Sequence, residues 1–385
     1  MVALATSALL VGCSAEVEGE IDSSMGNASP APATETADPA EVLGMAKKID
    51  HAIVDAAVVR DSVVLKTADR ILAGPINNPA ESMVDYTGTC GDLAAAENSV
   101  LLPCDDGIRV LDTRGQVAAT VGRGTAYSAA AEMPGGRIVG HRADSDVIDV
   151  FGADGELADE FRASRVGSQL VVAPAVNGTD TGRIMEVNRQ ETSVHELKID
   201  ESRAGSGLRA GLGVGKAAAG GDIIAAADTK GNQLLLYTMT DIIRLHQAAP
   251  VPESPWSVAV DESRNLIWVS STAANKLTAW DISSGTPVQV AEVDTIADPQ
   301  AMVVTAAGEV AVFSASGQGA QILQDADVEQ ALADYREQAE ANREAMQLRE
   351  PTNRLPSGAA SNDAGDSAPA GDSQRGSDDA ARADN

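Results

Sequence analysis

Aromatic side chains are scarce in this chain, with 3 Phe, 4 Tyr and 3 Trp among 385 residues. A core built from large rings is thereby excluded, and Ala, Val and Gly must do the filling, as they do in closely packed sheets. Basic residues are few as well: 28 stand against 57 acids, a formal net charge of -29. Such a surface lacks the Lys/Arg density that neutralises phosphates, so nucleic acid is not an expected partner, and anionic lipid headgroups would repel it too. No apolar run reaches the roughly 18 residues that span a bilayer, so any membrane link must be covalent or peripheral. Cysteine is limited to Cys13, Cys90 and Cys104, without a CxxC pair, and the four histidines (His51, His141, His195, His246) are scattered. Zinc-site spacing is absent, and no cofactor motif is evident.

What is present begins with "LLVGCSAE", where a cysteine follows an apolar stretch and a glycine. Residues 1 to 12 have the length of a secretory apolar region and end in small residues. Leu10, Val11 and Gly12 before Cys13 resemble the bacterial lipobox, with Gly12 as the small residue that admits the signal peptidase. The resemblance implies a lipid on the Cys13 thiol, a cell-membrane anchor and an extracytoplasmic location. It departs from the pattern in having no Lys or Arg before Lys47, so the true start is expected upstream of Met1. The alternative is an incidental cysteine in a frayed or buried terminus.

From Ser14 to Glu41 there are seven acids and no base, around "NASPAPATETADPAE". Such a segment cannot bury enough apolar surface to offset the entropy of ordering it. Residues 13–43 are therefore expected to be an anchor and a disordered tether, spanning about 30 Å as a random coil.

The middle of the chain repeats. "SVLLPCDDGIRVLD", "RIVGHRADSDVIDVF", "RIMEVNRQETSVHELKI", "DIIAAADTKGNQLLLYTM", "LIWVSSTAANKLTAWDI" and "EVAVFSASGQGAQIL" each pair two β-rich runs across a short polar loop, with "AVVRDSVVLKT" as a weaker copy. The most complete unit, Ser254 to Val293, shows four such runs, which is a four-stranded meander. Counted at the third run, the copies fall at Val63, Ile108, Val147, Val194, Leu234, Leu277 and Ala320, at intervals of 39 to 47 residues. Four strands per unit at that period predict a β-propeller, all-β and seven-bladed, with six blades as the alternative. The propeller is placed at residues 44–324, with N-terminal strand material completing the last blade, because a closed ring leaves no exposed edge.

"SPWSVAVDESRNLIWVSSTAANKLTAWDIS" resembles the YVTN-type propeller repeat. Trp268-Val269-Ser270 stand in the place of Tyr-Val-Thr, and Asn275 opens the third strand. "GNQLLLYTM" matches in part, and the Trp-Asp and Gly-His marks of WD40 blades do not recur. Lipobox, acidic tether, propeller and acidic tail together resemble actinobacterial envelope lipoproteins.

After the propeller, residues 325–350 predict a helix with Asp325 or Asp327 as N-cap, Pro351 as stop, and a narrow stripe of Val328, Leu332, Tyr335 and Met346 that docks on the propeller rim or recruits a partner. Residues 351–385 are of low complexity and expected to be disordered.

Sequence patterns that could carry catalysis are incomplete in this chain. "GLGVGKAAAGG" invites a phosphate-loop reading, but Lys216 is followed by Ala217, and Ala210 stands where the first glycine belongs. His141, Arg142, Asp144 and Asp146 share one loop and read as a solvated hairpin in preference to a general base or metal set. His195 and His246 read as structural. Trp256, Trp268 and Trp280 read as blade filling, with a binding patch as the alternative. Because propeller sites assemble from distant blades, the absence of a local motif only leans against an enzyme. The expected function is a non-catalytic binding or scaffold protein of the bacterial envelope, meeting an envelope protein or wall component through its variable loops. The rival is a hydrolase or lactonase-like enzyme with a channel metal. Cys90 and Cys104 bound "CGDLAAAENSVLLPC" and are expected to form a disulfide after export to an oxidising compartment.

Overall fold

Strands form where runs of Val, Ile, Leu and Ala are closed off by Gly, Asn, Asp or Ser turns, and in this computed structural model 28 strands do so among the described residues. The structure describes residues 25–32, 38–163, 167–175 and 177–349. Cys13, residues 1–12 and the tail 351–385 lie outside the described residues.

The strands make seven four-stranded antiparallel sheets. Six blades are continuous in sequence: Asp55–Asp85, Ala94–Val121, Tyr127–Arg162, Gln169–Arg209, Val214–Pro250 and Pro255–Asp294. The seventh takes three strands from Pro299–Leu323 and its outermost strand from Met45–Lys47, with Met45 opposite Ile322 and Lys47 opposite Ala320. The molecule is a seven-bladed β-propeller, and the two ends of the ring are joined within one sheet.

The core lies between blades, as expected for sheets that have two faces to cover. One cluster joins Met185, Val187 and Val194 of the fourth blade to Ile224, Leu235 and Tyr237 of the fifth, and another joins Trp268 and Leu277 of the sixth to Val310 and Val312 of the seventh. Trp268 and Trp280 are buried blade-filling residues.

The repeat register differs from the sequence reading in one blade. Val63 lies in the second strand (Ser62–Lys66), so "AVVRDSVVLKT" is the first hairpin of its blade, and the third strand is Arg70–Pro75. The other six positions sit in third strands. The first blade misleads because its tightest polar turn, Arg60-Asp61, joins the first and second strands.

In every blade the first and third strands run the same way. The second-to-third turns and the connections into each next blade therefore share one face, here called the loop face. Asn232 and Asn275 tie these turns together: each has positive φ, and their side-chain oxygens accept from Ser254 N and Asp298 N, both at 2.9 Å. The Asn that marks the repeat in sequence is thus a clamp between adjacent blades.

The α-helix, Asp325–Arg349, starts on the opposite side. Val328 and Ala331 are buried against Leu323 and Val310, and Arg264 bridges Asp325 and Glu329. The docking alternative holds for this part. Neither predicted cap occupies the capping position: Asp325 is the first helical residue and Gln324 precedes it, while Asp327 reaches back to accept Gln324 N at 2.9 Å, one arm of a capping box. The compact unit that contains the ring ends at Ala339, and Glu340 onward is a second unit, helical to Arg349. Among the described residues no helix is long and apolar enough to cross a membrane.

One expectation fails on the described part of the acidic tether. Residues 25–32 are seated on the loop face, where Gly26 N donates to Leu212 O and Asn27 N to Arg189 O, each at 2.8 Å. Low apolar content does not prevent backbone groups from finding fixed partners.

Candidate functional site: the central channel and its mouth

The first strand of each blade lines a central cavity of about 470 Å³. Its wall is mostly Ala and Val, because seven inner strands converge there and small side chains let them approach. The polar side chains on it are Asp55, Glu132, Gln169, Lys216 and Ser257. These are the residues from which a channel chemistry would have to be assembled.

Two of them engage each other across the ring. Lys216, in the first strand of the fifth blade (Val214–Gly220), forms a salt bridge to Asp55, which opens the first blade. Lys216 Nζ also donates to Val54 O at 3.2 Å, and Asp55 Oδ2 accepts from Leu93 N at 2.6 Å. Gln169 pairs in the same way with the next blade, donating to Ala217 O at 2.8 Å and accepting from Ala217 N at 3.0 Å.

A second cation ties together the loop-face turns next to them. Arg189, in a second-to-third turn of the fourth blade, forms a salt bridge to Asp92 at the entry to the second blade. Its Nε donates to Gly215 O at 2.9 Å, and its guanidinium lies 5.6 Å from the ring centroid of Trp256 in the sixth blade. Two basic side chains thus tie together blades one, two, four, five and six. Trp256 is buried, but it serves the mouth as well as blade packing.

The charges respond to this setting in opposite directions. Burial pushes the Asp55 carboxyl above its ordinary range, against the attraction of Lys216. For Asp92 burial also acts upward, yet Arg189 and Lys216 outweigh it and hold the carboxyl well below the usual carboxylate range. A carboxyl lowered on folding adds stability that is complete above its ordinary value of 3.8 and is lost as the pH falls below it. The gap in unfolding free energy between wild type and Asp92→Asn should therefore shrink as the pH drops below about 4. Urea unfolding at stepped pH measures it, and a gap that stays constant would remove Asp92 from the acid response.

The residues singled out in the sequence are dispersed. His141 is fully buried, with Nε2 2.7 Å from Glu186 of the next blade, so the solvated-hairpin expectation is corrected: the ring faces inward and joins blades three and four. Arg142 pairs with Asp149 and Glu160, whereas Asp146 pairs with Arg162. His195 sits beside Ser193 at 3.0 Å, and His246 is exposed on an outer strand. Lys216 belongs to a channel strand, and Gly211, at φ 69, makes the turn before it, so the glycine-rich stretch cradles no phosphate. Among the described residues no three His, Cys, Asp or Glu side chains converge as a metal set. Cys90 and Cys104 are joined by a disulfide.

Asp55, Asp92, Arg189 and Glu186 were not singled out in the sequence. One signal was available: in "GVGKAAAG" a lone Lys interrupts a strand of small residues at a channel-facing position, and a buried cation requires a buried acid. Nothing in sequence spacing points to Asp55 as that acid.

Comparison with known proteins adds fold alone. No protein-family model matches the chain, and no curated protein does. Among solved structures, the hydrazine synthase of Kuenenia stuttgartiensis is 12% identical with a TM-score of 0.59, covering 74% of this chain and 98% of that one. A streptogramin B lyase is 13% identical at 0.55, covering 74% and 96%. The virginiamycin B lyase of Staphylococcus aureus is 13% identical at 0.55, covering 73% and 98%. The likeness is one of architecture. A ring shared by enzymes of such different names carries no chemistry of its own, and function has to be argued from this chain's site.

Proposed function

We propose that the protein is a lipid-anchored, extracytoplasmic propeller that acts by binding, as a scaffold of the bacterial cell envelope. The observation that carries this reading is the state of the channel mouth. Where a ring would bring reactive groups together, Asp55 is committed to Lys216 and Asp92 to Arg189, so these acids and bases neutralise each other and brace the blades. What varies from blade to blade is the loop face: "CDDG", "RADSD", "RQET", "TKGN" and "TAAN" offer different polar groups on one rigid frame. An envelope protein or wall component is the class of partner that suits it.

The anchor belongs to the same proposal. The lipobox match at Cys13, the acidic segment after it and the propeller together support an architecture like that of the corynebacterial and mycobacterial envelope lipoprotein LppL. Stable anchoring takes two acyl chains, since one binds with only about 10⁴ M⁻¹, and a diacylglyceryl cysteine supplies them. Expressed in the native host from the full gene, Cys13→Ala should lose all lipid label and leave the membrane fraction. Unchanged labelling would refute the anchor.

A further inference from the structure

Residues 25–32 make contacts too specific for a spacer. Gly26 and Asn27 both adopt positive φ, +74 and +47, which turns their successive N–H groups toward Leu212 O and Arg189 O. A Cβ on Gly26 would lie 2.1 Å from Gln190 O, so only glycine fits this place. Five residues on, Ala31 N donates to Ser254 Oγ at 3.0 Å, which seats the segment between the fourth and sixth blades.

The seat is held independently of its occupant. Arg189 is fixed through its side chain by Asp92, Gly215 O and Trp256. Leu212 N and Gly213 N donate to the Asp228 carboxylate at 3.0 and 2.8 Å, and Ser254 Oγ lies 3.0 Å from Thr272 Oγ1. A seat already ordered costs little further entropy when a segment enters it.

We propose that residues 25–32 are a strap that docks in cis on the loop face and holds that face toward the lipid anchor. The docking half stands on contacts alone; the orientation half rests on lipidation of Cys13. With the strap seated, the chain from Ser14 to Met25 is about 12 residues, a reach of at most roughly 40 Å, whereas the 28 residues to Glu41 would allow about 100 Å.

The test uses the full-length lipoprotein, in two readouts. Hydrogen exchange of the Gly26 and Asn27 amides should be at least about 100-fold slower than in an unstructured chain, and Gly26→Val should restore the unstructured rate while the thermal unfolding of the ring stays within a few degrees. Unprotected amides in the wild type would overturn the strap. For orientation, a probe is placed through Arg123→Cys on the loop face or Ser284→Cys on the opposite face, both exposed sites. The protein is reconstituted in phosphatidylcholine vesicles that carry a nitroxide-labelled lipid. The Arg123 site should be quenched more than the Ser284 site, and Gly26→Val should abolish the difference. Equal quenching with protected amides would overturn the orientation, and failure to attach to vesicles with protected amides would overturn the anchor while leaving the strap in place.

Discussion

Lys216→Met should lower the unfolding free energy of the propeller by about 3 to 5 kcal/mol, the usual cost of stripping one partner from a buried ion pair. Asp55 is 5% exposed, and without Lys216 the Leu93 amide and that of its own neighbour Ala56 are its side chain's close donors among the described residues. The loss arises from an uncompensated buried carboxylate more than from the intrinsic strength of the pair. Replacing both members distinguishes these contributions: Asp55→Leu with Lys216→Met should recover most of the loss, because an apolar pair of similar volume no longer requires a counter-charge. Urea unfolding of the three variants and wild type measures it. A single substitution that costs under about 1 kcal/mol would mean that water reaches the pair and the mouth is open.

The second large effect is expected at the disulfide. Cys90 and Cys104 are 14 residues apart and face each other at the end of the second blade's first two strands. Opening a loop of about 15 residues releases roughly 3 kcal/mol of chain entropy in the unfolded state. The second blade needs the bond more than its neighbours do, since its innermost strand, Ala94–Ala95, is only two residues long. A Cys90→Ser, Cys104→Ser protein should therefore unfold at a lower denaturant concentration, and its earliest lost amide protection should lie in residues 90–104. Equal stability of the bonded and serine forms would refute the role, and free thiols at both positions in protein recovered from its host would refute the bond.

The two effects differ in how far the sequence disclosed them. Blade number and six of seven strand registers are legible because each blade has the same problem to solve, and Ile108, Val147, Val194, Leu234, Leu277 and Ala320 mark the same solution at near-constant spacing. The seventh blade's closure by Met45–Lys47 follows from the cost of an open edge, a global requirement that does not depend on local pattern. The cysteines were legible because a covalent pair announces itself by residue type. The channel mouth was not, because Asp55 and Lys216 stand 161 positions apart and meet only after four blades have been laid down. Gly26 was hidden for another reason: the acidic, Pro-rich sequence around it predicts no packed core, and its docking uses backbone groups that composition does not report. His141 misled because its neighbours Arg142, Asp144 and Asp146 are polar, whereas alternation along Arg137–Arg142 turns its own side chain toward the next blade.

Quantitative cross-linking in intact envelopes, with wild type beside the Asp55→Leu, Lys216→Met double variant, confronts the binding reading with its rival. If the mouth is a brace and the loop face the working surface, the folded double variant recovers the same partner in the same amount as wild type. If the channel is the working site, the double variant folds like wild type and loses its partner, and that result would contradict the scaffold account.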